Sequence, residues 1–163
     1  MFKRNEQLKS KGIPYFMAWL SSIRSRLTGC ASTPPESPSA AAGRKAEEAA
    51  ERYLVRDHGY RLLCRNWRQG RDEIDLICSR DDVLVFVEVK GRRNTARVPG
   101  YYAVDQRKKK ALRRACIAYL RALPRPPATY RFDIVEVRFY ADDRTEVSHF
   151  ENIPLFSKRT QRT

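Results

Sequence analysis

Apolar positions along the chain follow two rhythms. Ala46, Ala49, Ala50, Tyr53 and Leu54 recur at helical spacing, and Gly59 offers a stop. "YRLLCRNWR" over 60–68 reads as a strand, and residues 71–90, "RDEIDLICSRDDVLVFVEVK", as a hairpin. "NTARVPGYY" is a loop, and "AVDQRKKKALRRACIAYLRAL" is a second amphipathic helix stopped by Pro124, Pro126 and Pro127. "YRFDIVEVRFY" alternates as a strand, and "TEVSHFENI" makes a shorter one. The order is α-β-β-β-α-β-β, with no internal repeat. The Pro/Ser/Ala-rich stretch before residue 41 marks 1–40 as a disordered or loosely attached extension, in which "GIPYFMAWLSSIRSRL" has the pattern of a short amphipathic helix. The domain then covers 41–156, and 157–163 is a basic tail.

The hairpin carries a parity that matters. Ile74, Leu76 and Cys78, with Val83, Val85, Val87 and Val89, form one unbroken apolar face if the turn holds an even number of residues. A turn at 80–81 or 79–82 does this and sets Phe86 opposite Asp75 and Glu88 opposite Glu73. The other face then holds Glu73, Asp75, Ile77, Leu84, Phe86, Glu88 and Lys90. Asp75 and Glu88 become a diagonal pair, with Cβ atoms roughly 7 Å apart. Carboxylates that close repel. The pattern becomes sensible with a divalent cation between them, since Mg²⁺ takes oxygen ligands, often one or two carboxylates with water and phosphate. The competing explanation is a solvated face paired as Glu73–Lys90 or Glu88–Arg92. Crowded acids also predict that neutralising Asp75 or Glu88 stabilises the metal-free protein.

Charge sharpens the picture. The 163 residues contain 33 Lys plus Arg against 19 Asp plus Glu, a net +14. Such a surplus concentrates polyanions, nucleic acid above all, with an anionic membrane surface or a plain solvated exterior as competitors. No stretch approaches the ~20 apolar residues of a membrane span. "LTGC" ending at Cys30 resembles a lipoprotein cleavage site, but Arg24 and Arg26 interrupt the apolar run that export requires. The cysteines show no CxxC spacing, so a zinc site is not expected. Cys78 reads as a buried thiol, which suits a reducing, cytoplasmic setting.

Asp75, twelve residues, then Glu88-Val89-Lys90 matches the core of the PD-(D/E)xK nuclease motif. "EIDLI", "VFVEVKGR", "YRLLCRNWR", "AV" followed by Lys108, and "RFDIVEV" extend the likeness over about residues 41 to 156, which resembles the YraN-like family of uncharacterised bacterial proteins. That resemblance implies an α/β fold with a central mixed sheet flanked by helices, the restriction-endonuclease-like core of Holliday-junction resolvases. It implies Mg²⁺ or Mn²⁺ held by Asp75, Glu88 and the Val89 carbonyl, with Lys90 as the catalytic lysine. It also implies a further acid from the first helix, matched by Glu47. Helical spacing supports Glu47 separately, because 43, 47, 50 and 54 form one row and turn Glu47 inward. Two positions depart from the family: Ala46 stands where Gly is usual, and Arg71-Asp72-Glu73 replaces Gly-Gly-Glu.

On the second helix Val104, Lys108, Ala111, Leu112, Ala115 and Tyr119 share a side, so Lys108 should face the sheet. Lys109, Lys110, Arg113 and Arg114 spread outward and, with Arg92, Arg93 and Arg97, make a candidate phosphate-contacting rim. No base-reading motif is present. The leading expectation is a metal-dependent endonuclease on DNA more than RNA, on branched or structured DNA, with a homodimer suggested by the resolvase likeness. The alternatives are a non-catalytic nucleic-acid-binding module of the same fold and a protein-interaction subunit.

Overall fold

The computed structural model describes residues 37–93 and 105–156. The expectations for residues 1–36, for the loop with Arg97, for Val104 and for the tail 157–163 lie outside the described residues.

The first helix, α1 (Pro38–Arg52), starts a few residues ahead of the expected Ala41. The cause is local: Ser37 caps it by accepting from the Ala40 N–H at 3.3 Å, and Pro38 occupies the first turn, where its missing N–H costs nothing. A π-helical turn, Tyr53–Asp57, continues α1, and Gly59 ends the segment with φ +68°. Five strands follow the expected order: β1 (Arg61–Gln69), β2 (Asp72–Arg80), β3 (Val83–Arg93), then α2 (Gln106–Ala122), β4 (Thr129–Phe139) and β5 (Thr145–Phe150). Asp105 caps α2 by accepting from the Lys108 N–H at 2.7 Å.

The sheet runs β1-β2-β3-β4-β5. Only β3 and β4 are parallel, and α2 is the crossover that such a pair needs. Alternation along β3 splits the interior into two layers. Val85 and Val87, with Leu76, Cys78, Val135 and Val137, pack on α1 through Ala46, Ala49, Ala50 and Leu54. Phe86 points the other way, edge-on to Tyr119 of α2, which also meets Trp67. The α/β class and the mixed sheet flanked by helices are therefore as expected. Cys78 is fully buried, and burial pushes its thiol up to about 12.

The hairpin register differs from expectation by two residues. The turn is Asp81-Asp82, with Arg80 paired to Val83 and Leu76 to Val87. Asp81 takes φ +53°, a left-handed conformation that a short Asp side chain tolerates better than Arg. A two-residue shift preserves parity, so the apolar face survives intact. It does change who meets whom: one step beyond Leu76 and Val87, Asp75 comes opposite Glu88 rather than Phe86.

Candidate active site

Asp75 is the point where the β2 ladders open. It is paired in neither the β1 register nor the β3 register. Its Oδ2 accepts instead from the Val89 N–H at 2.7 Å. A side chain thus takes the place of a ladder bond, and it holds the Asp75 carboxylate against β3 beside Glu88.

Glu88 is 3% exposed and receives two ammonium groups on one oxygen: Lys90 Nζ lies 2.6 Å and Lys108 Nζ 3.1 Å from Oε1. Its other oxygen, Oε2, is buried and has no hydrogen-bond partner. A buried acceptor left bare is costly and calls for an explanation. Lys108 faces the sheet as helical spacing predicts, but it belongs to the carboxylate cluster rather than to an outer rim. Neither expected salt bridge of a solvated face forms: Glu73 pairs with Arg68 at 3.0 Å, and Arg92 lies 3.7 Å from Glu136.

These contacts set the electrostatics. Burial, then the Glu88 charge, pushes the Asp75 carboxyl up to about 7, against the pull of the Val89 N–H; Glu47 adds to the rise. Burial opposes charge on Lys108, but Glu88, with Asp75 and Glu73, outweighs it and holds that ammonium above the usual lysine range. Two carboxylates and two amines therefore share one partly closed site, with one proton in play near neutral pH.

Glu47 lies half-buried on α1, inward as its row predicts. Burial raises its pKa, a hydrogen bond with Asn66 offsets part of that, and the Glu73 charge adds to it. Asn66 was not anticipated. It sits within β1 at φ +48°, level with the gap at Asp75, and ties α1 to the site. An Asn inside a strand-patterned run is the signal, since Asn is poor in strands and tolerant of left-handed backbone.

Among the described residues, no three His, Cys, Asp or Glu side chains converge as a metal-binding group. The donor set is two carboxylates, which suits a hard cation that keeps water ligands, and the bare Glu88 Oε2 fits such an ion. Val89 enters the site through its N–H.

The outer cations divide. Lys110 and Arg113 are exposed and Lys109 is half-buried on α2. Arg114 makes a forked pair with Asp72, 2.9 and 2.8 Å, and holds that carboxylate below its usual range. The unusual Asp72 thus has a partner that fastens α2 to the start of β2. Arg93 is exposed at the end of β3. A second buried acid cluster also went unanticipated: Asp133 accepts from Arg131 (3.1 Å) and the Asn152 N–H (2.8 Å) and lies 2.8 Å from His149, which locks β4 to β5.

The chain has relatives among known proteins. The pattern of the uncharacterised protein family UPF0102 matches residues 46–137. A UPF0102 protein of Syntrophomonas wolfei is 41% identical over 106 residues, 65% of this chain and 90% of the relative. One from Pelotomaculum thermopropionicum is 40% identical over 111 residues, 68% and 92%, and one from Porphyromonas gingivalis is 38% identical over 125 residues, 74% and 90%. The matched span runs from the α1 residue that touches β3 to the β4 residue that closes the α1 core, and the chain belongs to the UPF0102, or YraN-like, family.

Proposed function

We propose that this protein is a metal-dependent endonuclease that hydrolyses phosphodiester bonds in DNA, on branched or structured forms, in the cytoplasm. The observation that carries this is the buried, unpartnered Oε2 of Glu88 beside Asp75, with two lysines on the opposite oxygen. Asp75, Glu88 and the Val89 carbonyl would hold Mg²⁺ or Mn²⁺. When bound, such an ion lowers the pKa of a water and neutralises the scissile phosphate.

The chain's own groups do the rest. Asp75 holds its proton up to about neutral pH and would be the ligand that binding of the ion deprotonates, while the Val89 N–H keeps its carboxyl group oriented. Lys90 is stored on Glu88 and is 26% exposed, so its amine can turn to a phosphate oxygen or to the attacking water. Lys108 supplies a second positive charge at the same carboxylate. Glu47, held by Asn66, orients groups from the α1 side.

The test is cleavage of labelled linear, flapped and four-way DNA with Mg²⁺ or Mn²⁺, each against a chelator control. Metal-dependent cutting is expected, strongest on the branched forms. DNA binding without cleavage at any metal concentration contradicts the proposal and favours a binding module of the same fold.

A further inference from the structure

Away from the carboxylates, a cleft of about 520 Å³ opens between the start of α1 and the ends of β3 and β4. Lys45, Arg92, Arg93 and Arg144 line it, with Phe139 and Tyr140 on its wall and Asp143 as the one acid. Its size falls in the ~300–1,000 Å³ range of ligand sites. Among the described residues neither Lys45 nor Arg93 is in an ion pair. Arg92 is paired with Glu136 and Arg144 with Asp142, each at 3.7 Å, so the unmatched charge of the cleft lies on Lys45 and Arg93, and an anion relieves the repulsion between them. The first turn of α1 also carries no acid, so its positive end reinforces the field.

The aromatic wall narrows the anion's identity. The Arg144 guanidinium lies 4.1 Å from the Tyr140 ring centroid, a stacked cation of the kind that also stacks on bases. Phosphate-binding cations beside a guanidinium that is layered on Tyr140 and 65% exposed suit a nucleotide strand better than a bare inorganic anion. Gly91 lines the same cleft, and Arg93 ends the strand that carries Lys90, three residues further on and on the opposite, α1-facing side of β3.

We infer that this cleft is a single-strand subsite, in which Lys45 and Arg93 take phosphates of the strand flanking the scissile bond while an unpaired base stacks on the Arg144 guanidinium layered on Tyr140. The inference rests on the nuclease reading for the flanking role and names the substrate class: DNA with an unpaired segment next to the cut. A base inside a duplex is already stacked and cannot enter.

Binding in chelator separates the two claims, because it needs no catalysis. Anisotropy of a fluorescein-labelled oligothymidylate and of a labelled blunt duplex is measured across salt for wild type, Lys45→Ala/Arg93→Ala and Tyr140→Leu. The double variant should lose at least tenfold in oligothymidylate affinity and flatten its log–log salt slope by about 1.4, two phosphates at ~0.7 each. Tyr140→Leu should weaken oligothymidylate several-fold with an unchanged slope, and duplex binding should change less in both. Unchanged oligothymidylate affinity and slope in the double variant overturn the inference. So do equal losses on both ligands. Failure of the metal-dependent cleavage assay with these binding results intact removes the nuclease reading and leaves the subsite.

Discussion

At the scale of single residues, the site's two carboxylates are not equivalent, and sequence alone treats them as if they were. Crowding predicts that removing either charge stabilises the metal-free fold. The expectation stands for Asp75 and reverses for Glu88, because the Glu88 carboxylate is the counterion of Lys90 and Lys108. Asp75 stands near 7 in the folded protein against 3.8 in the unfolded chain, so the folded state binds more protons between those values. Stability of the metal-free protein therefore falls as pH rises from about 4 to about 7, at up to ~1.4 kcal/mol per pH unit, and levels off above. Asp75→Asn abolishes that slope, keeps an acceptor for the Val89 N–H, and raises the thermal midpoint more at pH 8 than at pH 5. Glu88→Gln lowers the midpoint at pH 8, because two ammonium groups lose their partner. Melting curves in chelator at the two pH values check both. A midpoint of Asp75→Asn that never exceeds wild type contradicts the account of the site.

At the scale of elements, the packing of α1 on β3 decides where Glu47 sits. A Cβ on Gly91 would lie 2.8 Å from the Ala46 Cβ. The Ala in place of the family's usual Gly is thus accommodated by a glycine on the facing strand. Gly91→Ala should push α1 outward and cost about 1–3 kcal/mol by overpacking, measured by denaturant unfolding, and Gly91→Ala/Ala46→Gly should recover most of it. A double variant no more stable than Gly91→Ala shows that the contact is not the cause.

Element order, helix faces and strand parity were legible in the sequence because each depends on local periodicity. The apolar run from Val83 to Val89 has only one way to alternate. The hairpin register was not legible, because turns at 80–81, 79–82 and 81–82 all preserve that parity, and the backbone preference of Asp81 decides among them. Nor was the pairing of Glu88 with Lys108, which needs the distance between α2 and the sheet. Arg114 read as an outward cation because its partner, Asp72, lies 42 positions away.

At the scale of the whole molecule, 33 cations meet 19 acids, so a surplus of +14 is left however the acids are paired. Arg65, Arg68, Arg92, Arg114, Arg131 and Arg138 are engaged by acids of the fold. Lys109, Lys110 and Arg113 lie on the outer side of α2, where the sequence pattern sets a candidate phosphate-contacting rim. Replacing these three by Ala should reduce the salt slope of duplex binding by about 2.7, at ~0.9 per phosphate, while leaving the melting temperature within about 2 °C. An unchanged slope places the duplex elsewhere. No described helix is long and apolar enough to cross a membrane.

The central claim is that Asp75, Glu88 and Lys90 form a hydrolytic centre, and Lys90→Ala tests it most directly. Single-turnover cleavage of a branched DNA in Mg²⁺ is compared for wild type and variant, purified alike, with binding followed in chelator. Cleavage should fall by at least a hundredfold, ~2.7 kcal/mol in the barrier, while DNA affinity changes by less than about threefold. Equal cleavage by the two proteins, or cleavage by neither with Mg²⁺ or Mn²⁺ present, contradicts the account.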